Sequence, residues 1–94
     1  MNTTTTATNA YQTIRSFLYE NYLYARPNFE LRADDSLLSQ GVIDSMGVLE
    51  LVDFLRETFR IDVRDEHITE LNFGTLAGVT TYVLAQIAAE VDAA

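Results

Sequence analysis

The sequence predicts a small all-α protein, a four-helix bundle with three main helices, one short helix and a long first loop. Three stretches carry apolar residues at helical spacing, and no two stretches alternate as paired β-strands would. With 94 residues, 48% of them hydrophobic, the chain can form one modest core. We expect a disordered N-terminal tail over residues 1–9, a single domain over residues 10–90 and a frayed C-terminus over residues 91–94.

The first main helix is predicted from Ala10 to about Ala25. Thr8 or Asn9 is suited to cap its start, and Pro27 enforces its end because the residue before a proline avoids the helical region. The apolar positions that recur at helical spacing are Ile14, Phe17, Leu18 and Tyr22.

A long loop is predicted over residues 27–44, which contain the single proline and Gly41. A loop of this length in a small domain is often functional. Its apolar residues indicate that it packs against the core; they are Phe29, Leu31, Leu37, Leu38, Val42 and Ile43.

The second main helix is predicted over residues 45–59, with Asp44 or Ser45 as its N-cap. Its buried stripe is predicted to be Leu49, Val52, Leu55 and Phe59.

The remaining elements follow in order. A short alternating stretch after the second helix has no partner strand, so we expect an extended connector with Ile61 and Val63 facing inward. Residues 65–68 are predicted to form one helical turn. Thr75 is suited to cap a last helix, whose stripe is Leu76, Val79, Val83 and Ile87.

Charge narrows the classes of partner. The formal net charge is −8, from 14 acids against 6 basic residues, all of them arginine. Nucleic acid and anionic membranes would repel such a chain, whereas basic protein surfaces would attract it. Ten of the acids lie between residues 34 and 70. This cluster indicates either a docking face for basic partners or a helical surface that is only solvated.

Other absences limit the chemistry. The chain has no cysteine for disulfides or thiolate metal sites, no calcium-loop spacing of acids and no hydrolase nucleophile elbow. It has no apolar run long enough to span a membrane and no secretory signal pattern. We therefore expect no metal site, no serine hydrolase site and no membrane insertion, and we expect a cytoplasmic monomer. We expect no ligand role for His67, and tyrosines that pack at helix interfaces with solvated hydroxyls.

The most informative segment is Gly41-Val-Ile-Asp44-Ser45-Met46, which leads directly into the second helix. It places a serine hydroxyl beside a carboxylate at a helix N-terminus, where backbone N–H groups are free and the helix dipole is positive. A phosphate esterified to Ser45 would lie in a favourable field. Outside this context, such a serine is simply a helix cap.

This segment resembles the signature of the acyl and peptidyl carrier proteins, an Asp-Ser-Leu or Asp-Ser-Met triplet at the start of the second helix. The resemblance spans residues 11–90. It continues through Leu49-Glu-Leu-Val52, Phe59-Arg-Ile-Asp-Val63 and Asn72-Phe-Gly-Thr75-Leu76. It implies a bundle of the acyl carrier type.

The resemblance also implies a function, that of a carrier protein, which is not itself an enzyme and has no catalytic residues. In this family a phosphopantetheinyl transferase attaches 4′-phosphopantetheine from coenzyme A to the serine, here Ser45. The arm then carries a thioester that an acyl- or aminoacyl-activating ligase loads and downstream synthase enzymes use. Asp44 would position the serine and meet the transferase. The positions that match partner-docking residues are Met46, Glu50, Asp53 and Glu57.

Three departures from fatty-acid carriers favour a stand-alone carrier in a specialised pathway, handling a polyketide unit, a nonribosomal peptide or an activated amino acid. Gly47 stands where an acid is common, Arg56 and Arg60 interrupt the acidic face, and Phe54 replaces a small residue. The alternative is a small acidic adaptor that docks unmodified on a basic partner surface.

Overall fold

The computed structural model describes residues 6–93, which form four α-helices and no strand: Ala7–Asn21 (α1), Ser45–Phe59 (α2), Glu70–Phe73 (α3) and Leu76–Ala93 (α4). A 3₁₀ turn, Asp65–His67, precedes α3. Helix α4 packs against α1 and α3 and also contacts α2. The predicted helical bundle with a long first loop is confirmed. None of these helices is long and apolar enough to cross a membrane.

Helix α1 begins earlier than predicted. The N-cap is Thr6, whose Oγ1 accepts a hydrogen bond from the amide of Asn9 at 3.1 Å. Thr8 and Asn9 therefore lie within the first helical turn, and neither is the cap. The first helical hydrogen bond runs from the amide of Ala10 to the Thr6 carbonyl. Ala10 is fully buried, so packing of this first turn against the core favours the early start. The predicted tail over 1–9 thus includes residues that are helical, and residues 1–5 lie outside the described part.

Helix α1 also ends earlier than predicted, at Asn21 instead of about Ala25. The amides of Tyr22 and Leu23 both bond to the Leu18 carbonyl, at 2.9 and 3.1 Å, which widens the last turn. This turn directs Leu23 into the core, where it is fully buried. Burial of one leucine, which contributes about 1.5–3 kcal/mol, ends the helix before Pro27 can do so.

The long first loop is tied to the helices by hydrogen bonds. The Tyr19 hydroxyl on α1 donates to the carbonyl of Phe29 at 2.6 Å and accepts from the amide of Leu31 at 2.9 Å. Further along, the Leu37 amide donates to the Gly74 carbonyl at 2.9 Å, at the junction of α3 and α4. The loop is therefore a fixed part of the fold.

The apolar residues of this loop pack as predicted, with one exception. Leu38 is 48% exposed, so the prediction that it packs inward is wrong. Its neighbour Leu37 takes the inward position, and its backbone is held by Gly74. The residues of the loop that are buried in the core are Leu31, Leu37, Val42 and Ile43.

The buried face of α2 differs from the predicted stripe. Leu49 is 51% exposed, whereas Leu51 is fully buried with Val52 and Leu55. At 100° per residue, the centre of this face lies between Val52 and Leu51, and Leu49 falls on its flank. Phe59 is half-buried against the core.

The second half of the chain agrees with most predictions. Ile61 and Val63 are buried without strand pairing, and the predicted turn appears as Asp65–His67. Helix α3 was not predicted as a separate element; Thr69 caps it by accepting from the Asn72 amide at 3.3 Å.

Helix α4 begins after Thr75, whose Oγ1 accepts from the Gly78 amide at 2.9 Å, as predicted. Three residues of its predicted stripe are fully buried, and Ile87 packs against the core. The helix continues to Ala93, past the predicted domain end at residue 90, and residue 94 lies outside the described part.

Tyr24 is 74% exposed, so the prediction that it packs at a helix interface is wrong. Three of the other tyrosine hydroxyls, predicted to be solvated, form hydrogen bonds within the protein. Besides Tyr19, the Tyr22 hydroxyl bonds to Glu50, and the Tyr82 hydroxyl lies 2.8 Å from Nδ1 of His67. His67 thereby links the 3₁₀ turn to α4.

Candidate functional site

Ser45 is the first residue of α2 and is exposed. Of the two predicted N-caps, the structure selects Asp44, whose Oδ1 accepts from the Gly47 amide at 2.8 Å. Over residues 6–93, no hydrogen bond engages the Ser45 side chain. The cap is therefore supplied by the carboxylate, and the serine hydroxyl beside it is available for chemistry.

The turn before Asp44 holds this serine in place. Val42 and Ile43 are 3% and 5% exposed, and both of their amides point to the Leu37 carbonyl, at 2.9 and 3.3 Å. Gly41 reverses the chain at φ +72°, a conformation that favours glycine. The start of α2 is thus anchored in the core immediately before the exposed serine.

Arg26, in the segment that follows α1, supports the same turn. Its Nη2 atom lies 3.3 Å from the Gly41 carbonyl, and its guanidinium stacks over the Phe29 ring at 4.6 Å. Sequence reasoning missed this residue because nothing in the local pattern links positions 26 and 41. The interaction depends on the path of the loop.

Ser45 opens onto a cleft of about 480 Å³ between the end of α1 and the long loop. Its walls combine apolar side chains with backbone and carboxylate oxygens. The residues that line it are Tyr22, Leu38, Gly41, Val42, Ile43, Asp44 and Ser45. A flexible group attached to the serine could rest in this cleft.

A second, smaller depression of about 160 Å³ lies on the other side of Leu38, between α2 and α3. Val48 and Phe73 contribute its apolar lining. Leu38, Met46 and Leu49 are 48%, 68% and 51% exposed, so apolar surface is also present close to Ser45 along the chain.

The four predicted docking residues lie along one side of α2, at spacings of 4, 3 and 4 residues, and all are exposed. Over residues 6–93, the side chains of Met46 and Glu57 form no hydrogen bond or ion pair. Asp53 forms an ion pair with Arg56 at 3.5 Å, and Glu50 accepts a hydrogen bond from the Tyr22 hydroxyl. The structure therefore brings these residues together, and two of them are held by neighbours.

Tyr22 keeps its proton in this setting. Partial burial, the hydrogen bond to Glu50 and the nearby charges of Glu50 and Asp44 all raise its pKa above the ordinary value of 10.0. At neutral pH the phenol is a donor beside the two carboxylates and adds no third negative charge.

Three of the four residues named above as departures from the fatty-acid carrier pattern have structural roles: Gly47, Phe54 and Arg56. Arg56 donates from Nη2 to the Val63 carbonyl at 2.5 Å, which ties α2 to the connector. A Cβ on Gly47 would lie 2.9 Å from Cβ of Ile43, so the helix start leaves no room for a side chain there. Phe54 stacks on Phe17 at 4.1 Å and fills the space between α1 and α2.

Over the described residues, no group of three or more histidine, aspartate and glutamate side chains is arranged to hold a metal ion. The chain matches no protein-family model, and no curated protein matches it in sequence.

Proposed function

We propose that this protein is a carrier on which a thioester-linked intermediate is held by a 4′-phosphopantetheine arm attached to Ser45. The observation that carries this proposal is an exposed serine hydroxyl, unbonded within the described chain, at the N-terminus of an amphipathic helix and beside an open cleft. A serine needed only as a cap would have its hydroxyl turned to a backbone amide, and here Asp44 has that role.

The local residues suit such a group. The first amides of α2 carry a partial positive charge that favours a phosphate on Ser45. The cleft offers apolar walls from Leu38 and Val42 and polar atoms from the Asp44 segment. When bound, the arm would supply the thiol that forms the thioester.

Attachment requires a partner enzyme. In that step Oγ of Ser45 forms a bond to the coenzyme A phosphorus that bears the pantetheine. The pyrophosphate bond breaks, 3′,5′-ADP leaves, and a base of the transferase takes the hydroxyl proton.

The acids on the outer side of α2 would attract the basic surfaces of the transferase and of the enzymes that load and use the thioester. Each exposed pair contributes about 0–1 kcal/mol, so docking is weak and reversible, as a shuttle requires.

The packing between α1 and α2 supports a specialised cargo. The rings of Phe17 and Phe54 stack between these helices with centroids 4.1 Å apart, and Phe54 stands where carriers of a long acyl chain commonly have a small residue. A short acyl group, an amino acid or a polyketide unit presented outside the bundle fits this interior better than a fatty-acyl chain. We place the protein in a polyketide, nonribosomal peptide or amino-acid activation pathway of the cytoplasm.

The test is an intact mass measurement after incubation with coenzyme A, Mg²⁺ and a phosphopantetheinyl transferase of broad specificity. We expect one phosphopantetheine on the wild type and on Ser39→Ala, which removes another exposed serine, and none on Ser45→Ala. A folded wild-type protein that stays unmodified would refute the carrier function.

The exposed apolar residues among the acids of α2 favour one alternative, an acidic adaptor that docks unmodified on a basic partner. For an adaptor, Ser45→Ala would leave partner binding unchanged, whereas Glu50→Arg would weaken it. The carrier function predicts that Ser45→Ala abolishes cargo loading.

A further inference from the structure

The Tyr22–Glu50 hydrogen bond links the end of α1 to an exposed acid on α2. Tyr22 is the C-cap of α1 and has left the helical conformation, which brings its side chain to the edge of the Ser45 cleft. Its ring lies edge-on to that of Phe17, with centroids 6.0 Å apart. The Tyr22 ring therefore packs against an aromatic neighbour, and its hydroxyl donates to the carboxylate of Glu50.

This bond leaves Glu50 able to bind a partner. A carboxylate accepts about four hydrogen bonds, and Tyr22 uses one, on Oε1. An arginine or lysine of a docking enzyme can still reach the remaining acceptor positions. Because Tyr22 keeps its proton at neutral pH, it donates to the Glu50 carboxylate and does not repel it, and the carboxylate keeps its negative charge for the approaching cation.

We infer that Tyr22 is a positioning residue for docking: it holds the Glu50 carboxylate in place beside the Ser45 cleft before a basic partner arrives. This inference rests on the carrier function proposed above and assigns a role to a residue that is not itself part of the docking surface. A free glutamate loses several rotamers when it is fixed in an interface, which weakens binding. A carboxylate that is already fixed loses fewer.

The expected effect is on association with the partner and not on the transfer step. Tyr22→Phe removes only the hydroxyl and keeps the ring against Phe17. We expect the transferase KM for this variant to rise about three- to ten-fold, the range that one immobilised side chain supplies, with little change in kcat.

The experiment measures transferase kinetics by intact mass on the wild type, Tyr22→Phe, Glu50→Gln and the double variant, with thermal melting of each. Tyr24→Phe is the matched control, because it removes the same hydroxyl from a tyrosine that is 74% exposed two residues away. We expect Tyr24→Phe to behave as the wild type. In the Glu50→Gln background, Tyr22→Phe should add little to the KM.

Several results would overturn the inference: an unchanged KM in Tyr22→Phe, an equal rise of KM in the Glu50→Gln background, or a loss of the fold in Tyr22→Phe. Failure of the proposed function is separate, since it would appear as a wild-type protein that the transferase does not modify at all.

Discussion

Gly47 gives the sharpest test of how the start of α2 is built. It is the third residue of α2, it is buried, and its amide donates to the Asp44 cap. Helix propensity alone predicts that Gly47→Ala stabilises the protein by up to about 1 kcal/mol. The structure predicts the opposite, because the new Cβ would lie 2.9 Å from Cβ of Ile43.

The magnitude follows from this distance. Carbon atoms pack favourably at about 3.5–4.0 Å, so the two segments must separate by roughly 0.6 Å or more. Ile43 cannot move cheaply, because its Cβ is fixed to the backbone and its side chain is 5% exposed. Overpacking costs about 1–3 kcal/mol, and the shift also weakens the Asp44 cap, which contributes about 1 kcal/mol. After subtraction of the propensity gain, we expect Gly47→Ala to destabilise the fold by about 1–3 kcal/mol.

The assay is urea unfolding followed by far-UV circular dichroism, together with thermal melting. For a domain of this size, each kcal/mol lowers Tm by about 4–8 °C. Ser45→Ala is the control, because it changes an exposed residue of the same helical turn and should stay within about 0.5 kcal/mol of the wild type. A Gly47→Ala variant that melts at or above the wild-type temperature would show that the Ile43 contact does not limit this position.

Two further predictions concern stability. Burial and neighbouring carboxylates raise the pKa of Tyr22, and burial and Asp62 raise that of Tyr82, above the ordinary 10.0, so folding favours the protonated phenols. This contribution is complete below pH 10 and is lost as the pH rises further. The chain has no lysine that would titrate in the same range. As the pH is raised above about 10, the urea concentration at the unfolding midpoint should therefore decrease, and it should decrease less in Tyr22→Phe. A midpoint concentration that does not change with alkaline pH would contradict this. Arg60 ends α2 in the left-handed conformation, at φ 58° and ψ 38°. Arg60→Gly should stabilise the fold by about 0.5–1 kcal/mol in the same urea assay, and a loss of stability would disprove strain at this position.

The sequence by itself determined the elements that depend on local pattern. The all-helical class and the stripe of α4 follow from apolar spacing. The cap at Thr75 follows from a side chain that can accept a backbone amide, whereas for α2 the sequence left two candidate caps, Asp44 and Ser45. It also placed Ser45 at the start of α2, because an aspartate–serine pair before an apolar stripe is a short-range helix-start signal. These features are encoded within a few residues of one another.

Only the tertiary structure decided the features that join distant segments. Three features depend on what the rest of the chain presents to the residues concerned. Helix α1 ends at Asn21, Leu51 is buried while Leu49 is exposed, and Tyr22 bonds to Glu50. Periodicity identifies a broad apolar face of a helix, and burial against neighbouring helices then selects which leucine lies inside. The surroundings of Ser45 are set in the same way, by a loop whose path is fixed by contacts with α1 and α4.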